Sequence, residues 1–320
     1  MTSNELRRPS AEMVTGAEGD LARQAEDERM VTAARADFSR FKKIVGVLTH
    51  HGFHQFVGRR GVLRFLGRAF IKPDDEEMQA VAQPERAAIR FRKVLEELGP
   101  TFIKLGQVLS TRADLLPPQF IHELEKLQDD AAAVPFEAIK ETVERQLGRK
   151  LREAYRSFDE EPLAAASMAQ VHRAVTHSGR DVVVKVIRPG IEDMMKADLD
   201  LLHLVARLLE ATFAELELYA AGELVQTFDV ALKRELDLTE EATVLQEFRE
   251  NMAPIKGLAV PEVFPELSGP RVLTLEFFDG KKLSTVEKGT ETARKLVSVG
   301  LEATFKQIFQ DGLFHGDPHP

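Results

Sequence analysis

Hydrophobic and polar positions change their period near residue 155. Upstream, apolar residues recur at helical spacing. Phe102, Leu105 and Leu109 share one stripe, with Pro100 near its start. Pro117-Pro118 interrupt it, Phe120, Leu124 and Leu127 form a second stripe, and Phe136, Ile139, Val143 and Leu147 form a third, closed by Gly148. Residues 85–148 are therefore predicted to be helical. Downstream, Arg180–Arg188 alternates: Val182, Val184 and Val186 on one face, Val183, Lys185 and Ile187 on the other. That is a strand, ended by Pro189-Gly190. Two long helices are predicted over 191–217 and 222–250. Two strands, Val260–Phe264 and Arg271–Phe277, flank the turn region Pro265–Pro270, and residues 288–311 return to helix. There is no internal repeat.

The first 84 residues read differently. Residues 1–40 are polar and charged without a sustained stripe and are predicted to be weakly ordered. Residues 41–72 carry Lys42, Lys43, Arg59, Arg60, Arg64, Arg68 and Lys72 with no acid, interspersed with phenylalanine and leucine. Two readings stand: an amphipathic segment on a membrane surface, or helices packed on the main domain with a basic outer face. Gly52, Gly58, Gly61 and Gly67 weaken a continuous helix. Acidic residues 74–77 form a linker. The expected domains are 1–40; 41–84, the basic segment and linker; 85–155, a helical extension; 156–280, a small α+β lobe; and 281–320, the start of a helical lobe.

Composition narrows the function classes. The formal net charge of −9 argues against nucleic acid as a partner. The absence of cysteine excludes disulfides, zinc-thiolate sites and cysteine catalysis. No apolar signal region opens the chain and no run approaches the roughly 20 apolar residues that span a bilayer. The expected location is cytoplasmic, with peripheral contact to a membrane as the extension of that reading.

The candidate chemistry begins with Lys185. A lysine inside a valine-rich strand lies either on an edge facing water or in the cleft of a nucleotide site, where it holds phosphates and pairs with a helix glutamate. In a continuous helix over 222–250, Glu235 falls on the apolar stripe of Phe228, Ala231, Leu238, Ala242 and Leu245, so it either needs a cation or sits at the stripe's edge and reaches solvent. Asp237 and Glu241 stand one turn apart on a neighbouring face. Pairing of Lys185 with Glu235 is therefore expected. One strand before Lys185, Ala164-Ala165-Ala166-Ser167 lies where a kinase places its phosphate-binding loop, although a run of alanines by composition also suits a helix or plain packing. Alanine cannot adopt positive φ cheaply, so this loop should be stiffer than a glycine-rich one. The chain ends His315-Gly316-Asp317-Pro318-His319-Pro320, similar to a kinase catalytic loop in which Asp317 orients the phosphoryl acceptor.

In this order the motifs resemble the ABC1/UbiB/COQ8 family of atypical kinase-like proteins over roughly residues 90–320. Lys104-Leu105-Gly106-Gln107 is similar to the family's KxGQ signature, Ala164–Ser167 to its alanine-rich loop, Lys185 to the nucleotide lysine, Glu235-Leu236-Asp237 to its ExD motif and His315–Pro320 to the opening of the catalytic loop. The resemblance implies an α+β, protein-kinase-like N-lobe with a helical N-terminal extension and the beginning of the helical C-lobe. It implies ATP and Mg²⁺ as cofactors, with a hinge near Glu276, and Lys104 and Gln107 as gating residues that close the cleft to peptides. Lys104 is expected near Asp317 or near the Glu235–Asp237 pair. It further implies ATP hydrolysis or small-molecule phosphoryl transfer in prenyl-quinone (ubiquinone) biosynthesis, with a prenyl-quinone lipid or its precursor and biosynthetic enzymes as partners. The alternative is a non-catalytic, nucleotide-gated scaffold or lipid-binding partner of membrane enzymes. The family's metal-binding asparagine would fall two residues beyond Pro320, so no metal ligands, and no turnover, are expected within these 320 residues.

Overall fold

A computed structural model of the chain describes residues 39–51, 84–127, 131–212 and 221–314. Most of the basic segment 41–72, and the candidate residues His315 and Asp317, lie outside the described residues.

The helical extension comprises α1 (39–50), α2 (Pro84–Leu98), α3 (Pro100–Ser110), α4 (Pro118–Leu124), α5 (Phe136–Leu147) and the short α6 (Leu151–Ala154). Proline opens α2, α3 and α4, where its fixed φ suits the first turn and its missing N–H is no loss. Gly148 takes φ 65° to end α5. Ile44, Val47, Val94, Leu95, Leu98, Phe102, Ile103, Leu124 and Leu127 make the core of the first four helices. Gly106 is required there by close approach: a Cβ would stand 2.3 Å from Leu127 Cδ1 and 2.8 Å from Leu95 Cδ1.

The sheet is antiparallel. β1 (Ser157–Phe158) and β2 (Ala164–Ala165) pair with successive parts of β3 (Ala169–Val175). The order continues through β4 (Asp181–Ile187) to β5 (Val272–Glu276). Alternation in β4 sorts its side chains to two cores. Val182, Val184 and Val186 are completely buried against Ile139 and Val143 of α5 and against Tyr155. The Tyr155 hydroxyl donates to Thr274 Oγ1 at 2.7 Å, since that oxygen donates onward to the Leu267 carbonyl; burial pushes the phenol up to about 12. Ile187, with Ala169 and Leu273, packs against three further helices, α7 (Ile191–Thr212), α8 (Ala221–Glu235) and α9 (Leu238–Met252). A last helix, α10 (Glu291–Lys306), sets Val299 and Ala303 against Met252 and Ile255.

Two sequence expectations are corrected. Residues 222–250 are not one helix: the chain breaks at Leu236-Asp237 and restarts, because Asp237 accepts a hydrogen bond from the Thr239 N–H at 2.9 Å and caps α9. Nor is Val260–Phe264 a full strand. It lies beside β5 through one bridge, Val263 with Leu275, and two backbone bonds, Glu276 N–H to the Glu262 carbonyl and Phe264 N–H to the Thr274 carbonyl. Pro261 has no N–H to give the ladder, and Pro265 turns the chain into a 3₁₀ turn over Pro265–Leu267.

Candidate functional site

Lys185 stands on the face of β4 shared with Val183 and Ile187. Register aligns it with Val171 of β3 and Leu273 of β5, and Val171 in turn with Ala164. Cross-strand partners point to the same side of a sheet, so the base of the alanine loop and Lys185 share one face. The Lys185 ammonium donates to both carboxylate oxygens of Glu241, at 3.0 and 2.7 Å. The expected partner, Glu235, is instead taken by Lys104, with Nζ 3.0 Å from its carboxylate. The reason is the helix break: Glu235 ends α8 and faces the extension, while Glu241 occupies the first turns of α9 beside the sheet. The missed signal was Asp237 followed three residues later by Glu240, a helix-start pattern inside an apparently continuous stripe.

Neither pair is deeply buried. The side chains of Lys185 and Glu241 are 33% and 44% exposed, those of Lys104 and Glu235 21% and 48%. The first pair orients an ammonium that still reaches solvent, and such a pair is worth at most about 1 kcal/mol to stability. The second ties α3 to the end of α8. Gln107 follows Lys104 by three residues on α3, and both are partly exposed.

The alanine loop is a tight hairpin. Ala164 and Ala165 pair with Val171 and Gln170, and the Ala166 N–H donates to the Ala169 carbonyl at 2.8 Å. Ser167 is buried. Beneath it lies a polar lock. Gln170 is fully buried; its carbonyl oxygen accepts from the Val134 N–H at 2.7 Å, and its amide donates to the Val134 carbonyl and to His172 Nε2. His172 Nδ1 faces the Asp159 carbonyl at 2.8 Å. A carbonyl can only accept, so Nδ1 carries the proton and Nε2 accepts. Burial holds the imidazole below its ordinary pKa and thus neutral.

Two further candidates have assigned contacts. Asp237 uses Oδ1 to cap α9. The Glu276 carboxylate accepts from Arg180 at 3.2 Å and from the Glu262 N–H at 3.3 Å. With Phe278 and the end of α9 it borders a cavity of about 870 Å³. Among the described residues, no group of three His, Asp or Glu could hold a metal ion, and no helix is long and apolar enough to cross a membrane. A lysine held by a carboxylate, on the same sheet face as the loop, fits a nucleotide phosphate group.

Comparison with known proteins identifies the family. Residues 126–320 match the model of the ABC1 atypical kinase-like domain. The chain is 40% identical over 234 residues to a protein named "Probable protein kinase UbiB" of Pseudomonas paraeruginosa, covering 72% of this chain and 44% of that protein. It is 39% identical over 259 residues to "Protein ACTIVITY OF BC1 COMPLEX KINASE 7, chloroplastic" of Arabidopsis thaliana, covering 79% of this chain and 36% of the relative. It therefore spans less than half the length of either. The solved complex of Rv3197 with erythromycin from Mycobacterium tuberculosis superposes with TM-score 0.50 at 29% identity, over 77% of this chain and 62% of that one. The chain thus belongs to the ABC1 family of atypical kinase-like proteins.

Proposed function

We propose that this chain supplies the nucleotide-binding lobe and the gating extension of an ATP-dependent phosphotransferase or ATPase that serves prenyl-quinone metabolism. The observation that carries the reading is the Lys185–Glu241 pair, set on the same sheet face as the alanine loop. Lys185 binds the α- and β-phosphates, Glu241 keeps its ammonium aimed, and the alanine loop covers the phosphates. Mg²⁺, when bound, neutralises the charge of the phosphates. Asp317 orients the acceptor. Lys104, anchored on Glu235, closes the groove on the extension's side to peptides, so the acceptor is a small molecule or water.

Titration of a fluorescent ATP analogue tests the nucleotide step. Lys185→Ala and Glu241→Gln are expected to weaken binding by about tenfold or more, the equivalent of roughly 1.4 kcal/mol, with unchanged melting of the protein. Equal affinity in wild type and both variants would refute the assignment. In the full-length protein, turnover lost on Asp317→Asn would support catalysis, whereas nucleotide-dependent capture of quinone-pathway enzymes without turnover would make the protein a scaffold.

A further inference from the structure

Arg188 follows β4 directly, and its guanidinium donates to two carbonyl oxygens from different parts of the chain. One nitrogen bonds the Ala166 carbonyl, at the turn of the alanine loop, at 2.8 Å; the other bonds the Ala132 carbonyl, also at 2.8 Å. Its backbone N–H bonds the Met168 carbonyl at 2.9 Å. Arg188 makes no ion pair with a carboxylate among the described residues, and burial lowers its pKa from the ordinary guanidinium value. A half-buried cation without a counter-charge still carries a desolvation cost, so its place beside the loop calls for a reason.

Residues 131–134 form a strap along the loop. The Ala131 N–H bonds the Ala165 carbonyl at 3.1 Å, and Gln170 grips Val134 by both its N–H and its carbonyl. This strap joins the helical extension to the sheet. Gln170 is aligned with Val186, so the strap lies on the sheet face opposite Lys185. Arg188 shares the parity of Val186 and reaches the same side. The guanidinium therefore draws the Ala166 carbonyl, the negative end of a peptide dipole, away from the face where phosphates would lie beside Lys185.

We infer that Arg188 is a positioning residue for the nucleotide phosphates: its fork holds the alanine loop against the 131–134 strap in the one peptide orientation that tolerates phosphate. Alanine already resists the positive φ a flipped peptide would need, and the clamp fixes the remaining freedom. The fork matters as well as the charge, because a guanidinium presents its donors in a fixed plane, whereas an ammonium's three donors rotate freely and do not fix the direction of the two carbonyls. This rests on the nucleotide reading above.

The test compares ATP with adenosine in equilibrium titrations of the wild-type chain, Arg188→Gln and Arg188→Lys. Hydrogen exchange is followed at the Ala131 and Ala166 amides. Both variants should bind ATP about tenfold more weakly, as expected when hydrogen bonds from a charged group are lost. Adenosine affinity should be unchanged, and both amides should exchange at least several-fold faster while the β4–β5 ladder stays protected. A purely structural role would lower both affinities together. If Arg188→Gln fails to fold, Arg188→Lys, which keeps stem and charge, carries the comparison. Full rescue by lysine, or an unchanged ratio of ATP to adenosine affinity, would overturn the inference while leaving the nucleotide site intact. A wild-type chain that binds no ATP would sink the nucleotide reading and this inference together.

Discussion

At the scale of single residues, the site depends on which polar groups are held and which remain available. Lys185 keeps a third of its side chain in solvent while Glu241 fixes its direction. His172 is the opposite case: it is fully buried, both ring nitrogens are engaged, and burial depresses its pKa from an ordinary value of 6.5. Its folded pKa lies below its unfolded one. The unfolded state then binds more protons between the two values, and stability rises with pH across that window. The contribution is fully present above about pH 6.5 and is lost as the pH falls toward the depressed folded pKa. Chemical denaturation at pH 5 to 8 should show this slope in the wild type and its loss in His172→Gln. The variant should also be less stable at pH 8 by about 1–3 kcal/mol, the cost of unmade buried hydrogen bonds. An identical slope in both proteins would show that the histidine does not titrate with folding.

At the scale of elements, the decisive feature is the break between α8 and α9. It sends Glu235 to Lys104 and Glu241 to Lys185, so one short interruption assigns two ion pairs. Asp237→Ala removes the α9 cap and should cost about 1 kcal/mol. Because the cap also sets where α9 starts, it should weaken nucleotide binding as well. Thermal melts beside the ATP titration check this, and unchanged binding would mean that α9 starts correctly without its cap. Much of this region was legible in the sequence. The strand of Lys185 followed from valine alternation, the helix ending at Gly148 from its stripe, and the lysine, the alanine loop and the acidic motif from their order. The Lys185–Glu241 pairing was not, because the apolar stripe runs across Leu236-Asp237 with helical spacing and hides the cap. Val260–Phe264 misled for a related reason: its composition suits a strand, but Pro261 within it and Pro265 after it leave it a ladder of two bonds. The Arg188 clamp was hidden too, since its acceptors are backbone carbonyls and leave no trace in side-chain type.

At the scale of the whole molecule, the extension and the lobe are joined by buried charge. Asp198 of α7 is fully buried and accepts from Arg40 of α1 at 2.6 and 2.8 Å and from Thr101 of α3 at 2.7 Å, while Arg40 also bonds the Leu98 carbonyl. One carboxylate thus fixes the helix that carries Lys104. Asp198→Ala should destabilise the protein by about 3–5 kcal/mol, because the guanidinium would stay enclosed without its partner; a melt within 1 °C of wild type would contradict that. The remaining surface feature is α10. Val299 and Ala303 face inward, whereas Val297, Leu301 and Phe305, with Phe309 in the helical turn Gln307–Asp311 that follows, recur every four residues and are 55–74% exposed. The Phe305 and Phe309 rings stack at 5.6 Å and widen this apolar stripe. A continuous exposed patch of this kind lowers its free energy by association. The chain should therefore self-associate with rising concentration in sedimentation velocity. The double variant Leu301→Glu, Phe305→Glu should sediment as a monomer, with stability changed by no more than about 0.5 kcal/mol, since exposed positions tolerate substitution. Wild-type protein that stays monomeric at high micromolar concentration would show that this face is covered from within the chain, and loss of folding in the variant would place the two side chains in the core.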